Sequence, residues 1–175
     1  MILMNNFKAE PPELRKAMLQ AASRVLESGW YVLGNEVKHF EEQWSRVCGV
    51  SHGIGVGNGM DAIELALLGL SIGAGDEVIT TPMTAFATIL AIIRCGAKPV
   101  LADIDSETAL LSTESVRRCL SAKTKAVVLV HLYGQVRQMD EWVNFCEENN
   151  IMLIEDCAQA HQATWHGKVA GCFGQ

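Results

Sequence analysis

The chain has 175 residues, 49% of them hydrophobic and 19% charged, and sets 14 Lys+Arg against 20 Asp+Glu for a formal charge of -6. That length suits one globular domain, or a domain plus a fragment of another, with a sizeable core, and the acidic balance argues against a nonspecific grip on nucleic acid or anionic lipid. The longest uncharged apolar stretch, Met83 to Ile93, is too short to span a bilayer, and the opening MILMNNFKAEPP lacks the basic flank and long apolar run of a signal peptide, so a soluble, cytoplasmic protein is expected.

Residues 12–28 place apolar side chains at helical spacing, with Gly29 as a natural stop. Residues 35–47 predict a second, amphipathic helix with Val37, Phe40, Trp44 and Val47 on one face, ended by Gly49. From residue 52 the pattern changes. A strand over 52–56 (HGIGV) is expected to run through a Gly-Asn-Gly turn into a helix at 61–70. A strand at 78–81 (VITT) is broken by Pro82, and a helix follows at 84–95. Gly96 stops that helix before a strand at 98–102 (KPVLA). A turn-rich loop, DIDSETALLS, leads to a helix over Thr113–Leu120 and a continuously apolar strand over Lys125–Leu132. A helix at Gln138–Asn149, a strand at Ile151–Ile154 and a hairpin-like tail with His166-Gly167 in its turn complete the chain.

Strand and helix thus alternate, and the strands are apolar on both faces. That pattern predicts a three-layer α/β fold with a mostly parallel sheet covered by helices on both sides. The six cysteines (Cys48, Cys95, Cys119, Cys146, Cys157, Cys172) are dispersed, with no C-x-x-C and no Cys/His pair at zinc spacing. They read as reduced thiols, mostly small core residues. The five histidines show no helical ligand pairing, so no metal site is expected.

In an open parallel sheet, ligands gather outside the carboxyl ends of the strands. The loops to watch are therefore Gly57–Asp61, Thr81–Phe86, Asp103–Asp105, His131–Gln135 and Glu155–His161. Gly57-Asn58-Gly59 joins a strand to a helix. It fits an anion cradle built from free N–H groups and the helix dipole, and equally an ordinary tight turn. The same stretch matches G-x-G-x-x-A, but the acid that should end the next strand is displaced, because Asp76 and Glu77 precede that strand. No Lys-Ser/Thr follows the glycines either, which excludes a P-loop. Glu155 and Asp156 end an apolar strand and must face opposite ways. One of them faces the cleft, where a carboxylate needs a cationic or donor partner, unless Asp156 only caps the turn at Cys157. Phe86 suits stacking on a flat ring as well as a place in the core. Gln159 and His161 suit either ligand contacts or a polar loop.

The succession GNGMDAIELAL, GAGDEVITTPMTAFAT, GAKPVLADID, TKAVVLVHLYGQ and IEDCAQAHQA resembles the DegT/DnrJ/EryC1/StrS sugar aminotransferase family over about residues 34–173. These are pyridoxal 5'-phosphate (PLP) enzymes of the aspartate-aminotransferase fold, fold type I. The resemblance divides the chain into an N-terminal helical segment, 1–33, and a PLP-binding large domain, 34–175, incomplete at its C-terminus. It implies that Gly59, Met60 and Asp61 offer backbone N–H groups to the PLP phosphate and that Phe86 stacks on the pyridine ring. Asp156 would pair with the protonated ring nitrogen, Gln159 would sit near the phenolic oxygen, and His161 would be an active-site neighbour. It also implies transfer of an amino group, with glutamate as donor, to a keto group on a nucleotide-linked sugar. That chemistry would serve surface polysaccharide or glycosylated-metabolite synthesis, in a homodimer once the chain is completed.

The chain departs from the family pattern at Met60, Cys157, Gln162, Cys172 and Gln175. None of its seven lysines (Lys8, Lys16, Lys38, Lys98, Lys123, Lys125, Lys168) matches the family's Schiff-base position. A fragment inactive on its own is therefore expected, with no catalytic residue assigned. A PLP-dependent sugar dehydratase of the same family, with His in place of that lysine, and a non-catalytic binding module are the alternatives.

Overall fold

Four strands, β1 (Glu77–Thr80), β2 (Lys98–Leu101), β3 (Thr124–Val130) and β4 (Met152–Asp156), make one parallel sheet in the order β2-β1-β3-β4 in a computed structural model that describes residues 6–175. Residues 1–5, part of the expected 1–33 segment, lie outside the described residues. Helices α3 (Gly59–Gly69) and α4 (Phe86–Arg94) cover one face of the sheet, where Ile63, Leu67, Ala91 and Ile92 meet Val78, Ala126, Val128 and Ile154. Helices α5 (Thr113–Cys119) and α6 (Met139–Asn149) cover the other, where Val116, Met139, Trp142 and Phe145 meet Ile79, Val127, Leu129 and Leu153. Successive residues of β3 thus feed two cores in turn. That is why the strand reads as unbroken apolar sequence, and it yields the expected three-layer α/β architecture.

Local chemistry sets the helix ends. Asn58 caps α3 by accepting the Asp61 N–H at 3.0 Å, and Ser112 caps α5 by accepting the Ser115 N–H at 3.2 Å. Helices α1 (Pro12–Ser28) and α2 (Asn35–Cys48) match the two amphipathic stretches and end at Gly29 and Gly49 in the left-handed conformation. No residue of α1 is buried, and Leu14, Met18, Leu19 and Leu26 all face solvent. No described helix is long and apolar enough to cross a membrane.

Two strand expectations are corrected. The stretch 52–56 forms no strand. Ile54 is 82% exposed, and Gly55 N–H donates instead to Glu41 Oε1 at 2.6 Å. A strand needs a neighbour, and the free edge of β4 is engaged elsewhere: Gln175 N–H donates to Leu153 O at 3.0 Å, and Leu153 N–H donates to Gln175 Oε1 at 2.8 Å. Only glycine permits that approach at 174, because a Cβ there would run into Leu153 O. Strand β3 also stops at Val130 rather than Leu132. His131 leaves the ladder and Leu132–Gly134 form a short turn in which Tyr133 has φ 56°. Strand β4 correspondingly runs on to Asp156, paired with Val130.

The tail forms the expected hairpin, β5 (Thr164–Trp165) with β6 (Lys168–Val169). Its two turn residues, His166 and Gly167, both have positive φ (49° and 81°), as a two-residue hairpin turn of matching twist requires. The Trp165 indole N–H ties the hairpin to α6 through Asp140 Oδ2 at 2.8 Å.

Burial separates two leucines of similar sequence context. Leu67→Ala is expected to cost about 2–5 kcal/mol, as for a filled core site. Leu19→Ala, at a position 67% exposed, should stay within about 0.5 kcal/mol of wild type. Urea unfolding followed by circular dichroism measures both, and an equal loss would mean that the apolar row of α1 is packed.

Candidate functional site

All four strands run the same way, so their carboxyl ends lie at one end of the sheet. At the β4 side of that end a cleft of about 470 Å³ opens between α3, α2 and the turn after β4, with Gly59, Ala62, Trp44, Asp156, Ala158 and His161 in its wall. Asp156 is half-buried there. Its Oδ2 accepts from Thr88 Oγ1 and its Oδ1 from Ala158 N–H, each at 3.1 Å. Thr88 is itself buried and exchanges a 2.9 Å bond with Thr84. Among the described residues no cationic side chain pairs with Asp156. Its carboxylate is oriented by neutral donors alone.

The other wall begins at the first turn of α3. The N–H groups of Gly59 and Met60 have no acceptor among the described residues. The Asp61 N–H, expected to be free, is donated to the Asn58 side chain, so the turn offers two backbone donors to an anion rather than three. The Asp61 carboxylate beside them is offset by Asn58 Nδ2 at 2.8 Å and by Arg94 at 3.4 Å. Arg94 also bridges to Glu64 at 2.8 Å, fastening α4 to α3.

Of the seven residues singled out from sequence, Gly59, Asp156 and His161 line the cleft, and Met60, Asp61, Phe86 and Gln159 do not. Phe86 is not a core residue. It opens α4, is 66% exposed, and stands two positions before Thr88. Gln159 spends its Oε1 on the Tyr133 N–H at 2.7 Å, which leaves its amide NH2 as the end available to a ligand. The His161 ring lies 5.7 Å from the Trp44 ring, edge to face.

Thr88, Trp44 and the residues behind Asp156 escape sequence reasoning. Glu155, one position before Asp156, projects to the opposite face of β4; it too borders the cleft, with a side chain only 2% exposed. Its Oε2 accepts from His131 Nε2 and Gly171 N–H, both at 2.9 Å, and its Oε1 accepts from Phe173 N–H at 2.7 Å and Gly174 N–H at 2.9 Å. Burial alone pushes the Glu155 carboxyl up, but the bonds from His131 and from the Gly171, Gly174 and Phe173 amides outweigh it and hold the pKa below its ordinary 4.5. Cys157 Sγ lies with these His131 and Glu155 atoms within 4.8 Å. Both Glu155 oxygens are already committed to four N–H donors, so this trio is a hydrogen-bond hub. Burial, then the Glu155 and Asp156 carboxylates, push the Cys157 thiol up to about 12, which makes it an unreactive group at neutral pH.

Comparison with known proteins bears on this geometry. The model of the DegT/DnrJ/EryC1/StrS aminotransferase family matches residues 12–175. The chain is 44% identical over 160 residues to a dTDP-3-amino-3,6-dideoxy-alpha-D-galactopyranose transaminase of Aneurinibacillus thermoaerophilus, a match that covers 91% of this chain and 44% of that one. Its fold overlays the crystal structure of S. venezuelae DesV with a TM-score of 0.91 at 39% identity, over 95% of this chain and 45% of that one. It overlays NtdA of Bacillus subtilis, solved with bound cofactor PMP, with a TM-score of 0.85 at 28% identity, over 91% and 37%. The chain therefore spans less than half the length of the relatives it matches.

The hub predicts a pH signature. A lowered folded pKa means that Glu155 stabilises the fold fully above pH 4.5, and that this contribution fades as the pH falls through the lowered value. Glu155→Gln should therefore cost about 1–3 kcal/mol at pH 7, and the gap to wild type should close at lower pH. Urea unfolding of both proteins from pH 7 to pH 3 measures it, and a gap constant with pH would show that Glu155 carries no titrating role.

Proposed function

Because this chain belongs to the DegT/DnrJ/EryC1/StrS aminotransferase family, we propose that it forms the phosphate- and ring-binding part of a PLP site, in a protein that moves an amino group from glutamate to a keto group on a nucleotide-linked sugar. The observation that carries the reading is the pairing in one cleft of a carboxylate without a cationic partner, on Asp156, with the open N-terminus of α3 at Gly59. The two ends of PLP, a protonated ring nitrogen and a phosphate, are complementary to those two features.

When bound, PLP supplies an electron sink for the substrate carbon. The rest falls to the residues of the chain. Gly59 and Met60 N–H groups, helped by the dipole of α3, would hold the phosphate. Asp156 would accept the ring N–H and keep that nitrogen protonated, while Thr88 and Ala158 N–H fix the plane of its carboxylate. Phe86, exposed at the start of α4, would cover one ring face. The amide NH2 of Gln159 would donate to the phenolic oxygen, since its Oε1 is engaged by Tyr133. His161, set against Trp44, would close the wall. No lysine lines the cleft among the described residues, so in this proposal the chain itself binds the cofactor without a covalent link. The same reading places the protein in the cytoplasm and its full-length form in a homodimer. The exposed run Trp30–Leu33 and the apolar row of α1 offer surface for such contacts.

An absorbance titration with PLP tests this. Saturable binding is expected, competed by inorganic phosphate. Asp156→Asn should weaken PLP about tenfold or more, the scale of a charge-assisted hydrogen bond, and should leave phosphate affinity unchanged. Absence of saturable binding, or an unchanged PLP affinity in Asp156→Asn, would overturn the assignment.

A further inference from the structure

We propose that Glu155 and His131 are positioning residues for Asp156, acting as a lever across β4; the inference rests on the reading of Asp156 as the partner of the ring nitrogen. Asp156 sits where two strands stop pairing. Val130↔Asp156 is the last position of the β3–β4 register, and beyond it His131 leaves for the Leu132–Gly134 turn while Cys157 begins another. A strand end of this kind frays or rolls about its axis unless something holds it. His131 holds it twice. Its main-chain N–H donates to Asp156 O at 3.1 Å, and its ring shares a 2.9 Å bond with the Glu155 carboxylate.

Glu155 supplies the second grip, since both its oxygens are also fixed by the amides of Gly171, Phe173 and Gly174. Adjacent strand side chains project to opposite faces. A roll of β4 that lowers one carboxylate therefore raises the other. Locking Glu155 on its face sets the height of Asp156 on the other, where Thr88 meets it at 3.1 Å. None of the hydrogen bonds of His131 and Glu155 reaches α3, so the lever acts at the ring-nitrogen end of the site and leaves the phosphate end alone.

A double-mutant cycle in this chain tests the lever, with PLP and inorganic phosphate as separate probes. Glu155→Gln should weaken PLP about fivefold, the scale of one hydrogen bond. It should also shift the absorption of bound PLP toward that seen in Asp156→Asn, with phosphate affinity unchanged. In the Asp156→Asn background the same substitution should have no further effect on PLP, because its action passes through Asp156. An equal loss in both backgrounds, or no loss in either, overturns the proposal. His131→Gln runs through the same cycle if Glu155→Gln does not fold. Should the wild-type chain bind no PLP, the cofactor reading fails, and the lever is then decided by the NMR shift of the Asp156 carboxylate carbon. Displacement in Glu155→Gln upholds it, and an unmoved resonance overturns it.

Discussion

Neighbouring residues of a β-strand cannot face the same way, and at the end of β4 that constraint separates two carboxylates by one position and a whole sheet. Glu155 is driven inward to a nest of N–H donors on His131, Gly171, Phe173 and Gly174. Asp156, half-buried on the other face, meets the Thr88 hydroxyl and the Ala158 N–H. An isolated carboxylate in either place would be costly. Each is made tolerable differently, the first by full hydrogen bonding and the second by two neutral donors and access to the cleft. The arrangement depends on the β3–β4 ladder holding register through Val130 and Asp156. A one-residue slip would exchange the two carboxylates between faces.

The cleft is also built with little fixed positive charge. Its donors are a threonine hydroxyl and main-chain N–H groups, oriented by the fold before any ligand arrives. Such donors hold a carboxylate or meet an anion without supplying the full cation that would neutralise Asp156. Arg94, the nearest guanidinium to the α3 turn, is occupied with Asp61 and Glu64. Its work there is to join α4 to α3, and so to keep the helix that carries Phe86 and Thr88 in place relative to the one that carries Gly59.

Much of this was legible in the chain because the signals were local. The unbroken apolar run of β3 announced a strand covered on both faces, Gly29 and Gly49 marked helix ends, and His166-Gly167 announced a hairpin. The alternation rule alone required Glu155 and Asp156 to diverge. What stayed hidden depends on contacts between distant residues. Thr88 looks like an incidental polar residue in an apolar helix until β4 delivers Asp156 beside it, 68 positions later. His131 reads as the continuation of a strand, yet it is the residue at which that strand ends. The stretch 52–56 has the alternation of a strand, but strand formation is decided by a neighbour, and the outer edge of β4 is taken at Leu153 by Gln175. Asn58 was visible as a turn residue, whereas its use of the Asp61 N–H, which leaves two unbonded N–H groups at the start of α3 among the described residues, follows only from the cap geometry.

The position of Trp44 has a practical side. The four tryptophans occupy four different surroundings: Trp30 faces solvent, Trp142 is sealed between α6 and the sheet, Trp165 is tied to Asp140, and Trp44 stands in the cleft wall against His161. The molecule therefore contains an indole emitter in the wall of the cleft proposed to hold the cofactor. With the other three replaced, its fluorescence becomes a built-in optical gauge of that space, readable without a dye, a tag or turnover.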